Sequence, residues 1–335
     1  MDPKNVSGSI GFLADQCQYI WDLSESLQFE NKYGQAENII LCAMGGSVYG
    51  AYVVQNLYKN ELKVPLISHS DYNLPGFADK NSLIILSSYS GGTEEPLSAA
   101  KEAIDKGFPI IGLSGGGEVS QLAKKDHFPA LIFDTKYNPS GQPRLGTGYM
   151  VLGTIAILTR LGYLSIPDSE VEEAIRELRA GENRIQDQAK ELAKELIGFI
   201  PIYIAAEFLN GNIHIIRNQT NETAKSFAGF SELPELNHHL MEGLKNPPAK
   251  KLMVVFLESS FYSDKLKIRL DLTKDVVSKN NIEHLSYRAP GKSKLSQMLN
   301  VLSFGSYLTY YLAMLYHQDP SVIPWVDYFK EQLDK

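Results

Sequence analysis

Three stretches of this sequence place glycine and hydroxyl side chains where an anion could be held. Met44-Gly45-Gly46-Ser47, the run from Ser87 to Glu95 (Ser-Ser-Tyr-Ser-Gly-Gly-Thr-Glu-Glu), and Leu113-Ser114-Gly115-Gly116-Gly117 each close a short apolar run. Glycine lets backbone approach a ligand, and a helix that follows offers free N–H groups and the positive end of its dipole. Hydroxyls such as those of Ser47, Ser88, Ser90 and Thr93 add donors suited to a phosphate. Any one of these loops could equally be a capped turn. Ser90 to Thr93 in one loop with Ser47 in another tips the balance to a phosphate site. Gly45, Gly46 and Gly50 lack the G-x-G-x-x-G spacing of a dinucleotide site, and no G-x-x-x-x-G-K-[ST] run occurs, so a nucleotide is disfavoured.

Loops of this kind need strands to mount them. Residues 38–44, 64–68, 82–88, 108–113 and 129–134 are short runs rich in Ile, Leu and Val, bounded by Gly, Pro, Ser or Asp. Continuous apolar runs, as opposed to alternating ones, predict parallel strands buried on both faces. Helical segments are expected at 47–60, 93–107 and 118–126 between them, with another at 145–164. A charged helical stretch at 168–197 connects to a second half, where strands are expected at 201–206, 212–217, 251–259 and 281–288. Helices are expected there at 217–229, 235–244, 262–278 and 293–316. The pattern predicts an α/β chain of two doubly wound parallel-sheet subdomains covered by helices, residues 1–165 and 166–335. The last segment, 318–335, reads as a Pro-rich turn and a short amphipathic helix, its Trp325, Tyr328 and Phe329 packed down.

Composition agrees with that class. The 335 residues suffice for two ordinary domains, and 44% hydrophobic with 21% charged residues is too apolar for disorder. A net charge of −7 argues against nucleic acid or an acidic membrane as partner. Cys17 and Cys42 are too few for a disulfide framework or a cysteine zinc site and suit a reducing compartment. No basic leader and no run of 18 apolar residues is present, so the expectation is a cytoplasmic protein without a membrane span. The seven histidines form no H-x-x-x-H pair, and neither a metal nor a cofactor is expected.

The loop Ser88-Tyr89-Ser90-Gly91-Gly92-Thr93-Glu94-Glu95 resembles the S-x-S-G-x-T-x-E loop of the sugar isomerase (SIS) domain. Further along stand Asn138-Pro139-Ser140-Gly141-Gln142-Pro143-Arg144, then Asn221-Glu222-Thr223-Ala224-Lys225, then Pro234-Glu235-Leu236-Asn237-His238. Asp319-Pro320 with Lys330 closes the series. Together, and in this order, they are similar to the bifunctional phosphoglucose/phosphomannose isomerase family. The resemblance implies an aldose–ketose isomerase acting on a sugar 6-phosphate, built from two SIS subdomains, in homodimers whose sites draw residues from both subunits. It implies that Gly45, Gly46, Ser47, Ser88, Ser90 and Thr93 hold the phosphate. Arg144 would lie beside the reacting carbons, Glu222 would be the base, and His238 and Lys330 would assist ring opening. Where the family reads N-H-N-E, this chain reads Asn237-His238-His239-Leu240, which leaves His239 as a rival to His238.

The chemistry needs such groups. Moving a proton between C2 and C1 through an enediol requires a base at C2, which Glu222 supplies if it sits at a helix start near Lys225 and Arg217. The bland alternative is a solvated Glu222 pairing with Lys225 at i,i+3. A developing enediolate oxygen calls for a fixed positive charge, and Arg144 stays protonated at any working pH. Opening a cyclic sugar suits a neutral-range acid–base such as histidine. Residues between Pro320 and Lys330, with Ile323 and Trp325 among them, are expected to line the sugar pocket. Two other readings stay open: a non-enzymatic phosphosugar-binding regulator, which would not need Glu222, Arg144 and His238 together, and an aminosugar-phosphate isomerase or deaminase.

Overall fold

The computed structural model describes residues 2–246 and 251–333. Helices α1 (Val6–Gly11) and α2 (Leu13–Leu23) precede a sheet of β1 (Asn38–Cys42), β2 (Leu66–His69), β3 (Ser82–Ser88), β4 (Ile110–Ser114) and β5 (Ala130–Ile132). Every pairing is parallel, in the order β2-β1-β3-β4-β5. Each residue of β3 and β4 is buried, which is why these runs are apolar throughout with no alternation. Crossovers are made by α3 (Tyr49–Leu57), α4 (Glu94–Asp105) and α5 (Gly117–Lys125). The strand order reverses between β1 and β3, and such a switch point opens a crevice at the carboxyl ends of the two strands. The first two Gly/Ser loops follow those two strands.

After α6 (Thr147–Arg160) and α7 (Asp168–Glu195), a second parallel sheet runs β7-β6-β8-β9. Its strands are β6 (Ile200–Ala206), β7 (Gly229–Leu233), β8 (Leu252–Glu258) and β9 (Glu283–Arg288). Helices α8 (Asn210–Thr223), α9 (Leu240–Gly243), α10 (Asp264–Lys279), α11 (Lys294–Leu315) and α12 (Pro324–Leu333) complete the chain. The architecture is the doubly wound α/β pair expected from the sequence. The two sheets share one apolar core running from Val6 to Ala313, with α3 against α8 and α7 along α11. On the charged α7, Val171, Ala174, Ile175, Leu178, Ile185, Ala189 and Ala193 form a buried stripe, and the charged residues lie outside it. Among the described residues no helix is long and apolar enough to cross a membrane.

Residues 212–217 are not a strand. They lie inside α8, where Asn212, Ile213, Ile215, Ile216, Gln219, Thr220 and Thr223 are buried. Lodged between α3 and α11, this helix is covered on so much of its surface that its β-branched residues imitate a strand run. The helix expected at 217–229 therefore ends at Thr223, and part of its range becomes the edge strand β7. That strand, Gly-Phe-Ser-Glu-Leu, is only half-covered and carries no apolar run to reveal it. The expected helix at 235–244 breaks into a 3-10 turn, Glu235–His238, and the short α9. The tail helix forms as α12 but is not packed down: Trp325 is 81% exposed, and Tyr328 and Phe329 also face solvent.

Contact between the halves depends on Gly211 in α8. A Cβ there would overlap the Tyr52 carbonyl of α3 and lie 3.0 Å from the Val53 Cα, both backbone and neither able to swing aside. Gly211→Ala is expected to destabilise the protein by about 1–3 kcal/mol, the usual cost of overpacking. Denaturant unfolding checks this, and a loss under about 0.5 kcal/mol, the range of ordinary surface changes, would show that the helices separate freely.

Candidate active site

The loop after β1 turns on Gly45, whose φ of +54° is left-handed, and forms a 3-10 turn over Gly45–Val48. Ser47 is buried and ties this loop to the next. Its Oγ accepts from the Tyr89 N–H at 2.9 Å, and its carbonyl accepts from the Ser87 hydroxyl at 2.9 Å. Because Ser47 Oγ accepts that bond, its own proton remains available to a ligand. In the loop after β3, Ser88 Oγ donates to Thr93 Oγ1 at 3.1 Å and accepts from the Gly91 N–H at 3.1 Å. Ser88 thus orients Thr93, whose hydroxyl proton is free, and Ser90 accepts from the Gly92 N–H at 3.4 Å in the same way. Thr93 caps α4 without a side-chain cap bond, which leaves first-turn N–H groups directed at the crevice.

The third Gly/Ser loop is a buttress. A Cβ on Gly91 would overlap the Gly116 carbonyl, and the Gly115 N–H donates to the Tyr89 carbonyl at 3.1 Å, so this loop props the second from behind.

Residues 138–144 form a mount. Asn138 Nδ2 donates to the Tyr89 hydroxyl at 2.7 Å and to the Gln142 carbonyl at 2.9 Å, while Ser140 Oγ donates to Asn138 Oδ1. The turn reaches the first loop because Gly46 has no side chain; a Cβ there would stand 3.0 Å from the Arg144 nitrogen. Arg144 is 1% exposed. Its Nε donates to Thr223 Oγ1 (3.1 Å), Nη1 to Gln142 Oε1 (2.9 Å), and Nη2 to the carbonyls of Pro320 (2.6 Å) and Ser321 (3.0 Å). One Nη1 hydrogen is left, on the nitrogen that stands 3.6 Å from Glu222 Oε2. Burial pulls the guanidinium's pKa down, and Glu222, Tyr49 and Asp319 act against that pull.

Glu222 lies in the last turn of α8, not at a helix start, where the negative end of the dipole meets its carboxylate. Burial raises its pKa above the ordinary carboxylate value, opposed by the charges of Arg144, Lys330 and Lys225. It is not a solvated helix-face residue paired with Lys225: α8 ends at Thr223, and Lys225, in a left-handed conformation beyond it, bonds the carbonyls of Thr223 and Asp319. Arg217 instead stacks over Phe230 at 5.0 Å. Glu222 lines a groove of about 900 Å³ with Lys225, Phe227, Val322, Ile323 and Trp325. Lys330, on α12, acts on Glu222 through its charge without a direct bond.

His238 is not in this constellation within one chain. In a parallel crossover, α8 returns from the carboxyl edge of β6 to the amino edge of β7. Glu222 therefore sits at one edge of the second sheet, while His238, exposed just past the end of β7, sits at the other, roughly 15 Å away along the strand. His239 is exposed as well, with Nε2 2.6 Å from Glu235 Oε2. Among the described residues no cluster of three His, Cys, Asp or Glu groups could hold a metal ion.

Several members of the site went unforeseen. Tyr49 is buried behind the first loop, with Asn218 beside its hydroxyl and Glu222 and Arg144 facing it; burial, then Glu222, push its pKa far up. Gln142, Thr223, Lys225 and the carbonyls at 319–321 complete the surroundings of Arg144 and Glu222. Gln142, Thr223, Lys225 and Asp319-Pro320 stand inside the motifs quoted above without a role of their own, and Tyr49 stands two residues after Ser47.

A family model described as the bacterial phospho-glucose isomerase C-terminal SIS domain matches residues 185–333. The chain is similar to the bifunctional phosphoglucose/phosphomannose isomerase of Caldicellulosiruptor bescii, 30% identical over 97% of this chain and 98% of that protein. The corresponding protein of Aquifex aeolicus is 28% identical over 89% of this chain and 91% of its own length. Among solved structures, a hypothetical protein from Thermus thermophilus superposes with a TM-score of 0.74 at 14% identity, covering 99% of this chain and 90% of that one.

A raised pKa has a stability consequence. A carboxyl whose folded pKa lies above its unfolded value stabilises the fold while protonated, and that contribution is lost as pH rises through the folded value. At pH 7 Glu222 is therefore a net cost, and Glu222→Gln is expected to unfold at a higher temperature than the parent. The gain should shrink as pH falls through the titration of Glu222. Melting curves from pH 8 to 4 check this; a gain that grows toward low pH would mean that Arg144 pulls the carboxyl down.

Proposed function

The chain belongs to the bifunctional phosphoglucose/phosphomannose isomerase family, and on that premise we propose that Glu222 and Arg144 carry its aldose–ketose chemistry. The enzyme is an isomerase that interconverts glucose 6-phosphate and mannose 6-phosphate with fructose 6-phosphate. The observation that carries the assignment of residues is the buried Arg144 with one Nη1 hydrogen left over, 3.6 Å from a carboxylate of raised pKa.

Backbone and hydroxyl groups of Gly45, Gly46, Ser47, Ser90 and Thr93 hold the phosphate, with Ser88 orienting Thr93. The sugar then lies along the groove beside Glu222. As a carboxylate, Glu222 takes the proton from C2 of the open-chain aldose; the C–H electron pair becomes the C1–C2 double bond, and O1 takes the negative charge. Arg144 stabilises that oxygen by its charge and its remaining N–H, the other four donors being committed to the protein. Return of the same proton to C1, with transfer of the hydroxyl proton from O2 to O1, gives the ketose. A C2 proton reached from either epimer's face leads to the same enediol, so one base serves both aldoses. Lys330 helps to keep Glu222 ionised and, with His238, moves protons between the anomeric oxygen and the ring oxygen during opening.

Because His238 lies at the far edge of the second sheet in its own chain, we place it in the site of a second copy, in a homodimer with two composite sites. The reaction belongs in the cytoplasm, a reading supported by two free, buried cysteines.

Fructose 6-phosphate should be converted to both aldose phosphates at the same rate with and without EDTA. Glu222→Gln should lower that rate by about 10²–10⁴-fold, the range of general acid–base contributions. Phosphosugar binding without turnover in the parent would overturn the assignment in favour of a regulator, and turnover of an aminosugar phosphate alone would move it to that substrate class. A mixing experiment tests the shared site. Glu222→Gln and His238→Ala are each expected to be nearly inactive, and co-refolded in equal amounts they should regain about a quarter of the parent rate, from half the dimers with one intact site each. No recovery on mixing, with dimers formed, would put His238 outside the site.

A further inference from the structure

The chain leaves α8 through a residue that is unusual for its conformation. Position 225 follows the helix cap with φ +52°, the left-handed turn that glycine makes with least strain, yet a lysine stands there. Its side chain is not released to solvent. Lys225 Nζ donates to the Thr223 carbonyl at 3.2 Å and makes a short bond to the Asp319 carbonyl. The next two carbonyls of that segment, Pro320 and Ser321, accept from Arg144 Nη2. Three successive carbonyls thus face two cations that flank Glu222. The segment is also closed on itself, since the Asp319 carboxylate accepts from the Ser321 N–H (2.8 Å) and hydroxyl (2.6 Å). Beyond it the chain enters α12, none of whose described residues is buried, and which carries Lys330.

Resting on the functional reading above, we propose that Lys225 is a positioning residue: with Arg144 it clamps the root of α12 and so sets Lys330 over Glu222. The strained backbone is the structural price of putting an ammonium, and not merely a turn, at the end of α8. The clamp also has a pH range. Burial first, and then the like charge of Arg144, bring Lys225 down to about 8, with Asp319 and Glu222 acting in the opposite direction. Above that pH the ammonium becomes an amine and its hold on the Asp319 carbonyl weakens.

Lys225→Gly separates this role from helix capping, because glycine suits the left-handed turn better. The expected result is a melting temperature equal to or above the parent's, with kcat lowered about 10–10²-fold, the cost of a misplacement of about 1 Å. KM should stay within about threefold, since the phosphate loops are untouched. Hydrogen exchange should speed up for the amides of α12 and stay unchanged in α4. Lys225→Arg should restore most of kcat and remove the alkaline limb near pH 8. A Lys225→Gly variant with parent kcat and unchanged exchange in α12 would overturn the proposal, as would a loss of kcat matched by a fall in melting temperature. The exchange measurement needs no turnover. An inactive parent would count against the functional reading, while faster exchange in the variant would still uphold the clamp.

Discussion

A guanidinium taken almost wholly out of water must find acceptors for five N–H groups, and in this fold that requirement organises everything around Arg144. Its acceptors come from places far apart in the sequence: Gln142 beside it, Thr223 at the end of α8, and the carbonyls of Pro320 and Ser321 at the root of α12. Satisfying one side chain therefore fixes the first sheet's mount, the second sheet's crossover helix and the tail against one another. The glycine at position 46 lets that junction lie against the loop after β1. Geometry that would otherwise depend on three independent elements is set by one buried charge. Because burial disfavours Glu222 as an anion while Arg144 and two lysines favour it, the same junction sets a carboxyl whose pKa lies above the ordinary carboxylate value.

The two sheets begin alike and then diverge in chemistry. At the turn after β1 the left-handed residue is Gly45, and at the equivalent turn after β6 it is Glu207, with φ +47°. Glu207 Oε1 accepts from the Ser263 N–H at the start of α10, the position in the second half that corresponds to the open first turn of α4. Gln297 from α11 fills the rest, bonded to Ser259 and Ser260. The second half thus carries its own carboxylate and amide where the first offers room for a phosphate. This difference fits the proposed division of labour between two similar units, in which the first would hold the anion and the second would supply the base from the opposite, amino edge of its sheet.

Legibility followed physical cause. Strands buried on both faces announce themselves as apolar runs, so β1, β3, β6 and β8 were readable to within a residue or two. The Gly/Ser loops at the carboxyl ends of β1 and β3 were readable as loops because glycine and hydroxyl residues there break the apolar runs. An edge strand such as β7, and a helix such as α8 that is buried around most of its surface, leave no period to detect. The candidate base and its arginine came from ordered motifs, since nothing local distinguishes Glu222 from a surface glutamate. What no local pattern encodes is the 79-residue separation of Arg144 from Thr223, or the reach of Lys225 to Asp319. Those are tertiary facts, and the left-handed lysine is visible only once the backbone is known.

Two observations remain unexplained by a single chain and are accounted for together by the proposed homodimer. His238, proposed above for ring opening, stands exposed at the edge of the second sheet away from Glu222. On the other side of the molecule α12 holds Trp325, Tyr328 and Phe329 largely in solvent, beside the groove where the sugar would lie. A two-fold arrangement in which each copy presents its His238 edge to the other's groove would cover the aromatic face and complete the site in one step, and symmetry would make both sites equivalent. An aromatic helix with no buried residue among those described fits such an arrangement better than a helix packed down on its own chain, because its face can adjust to the partner while the clamp at 319–321 would keep Lys330 in register with Glu222. On this view the exposed tail is not a loose end of the fold but the part of the active site that the second subunit closes.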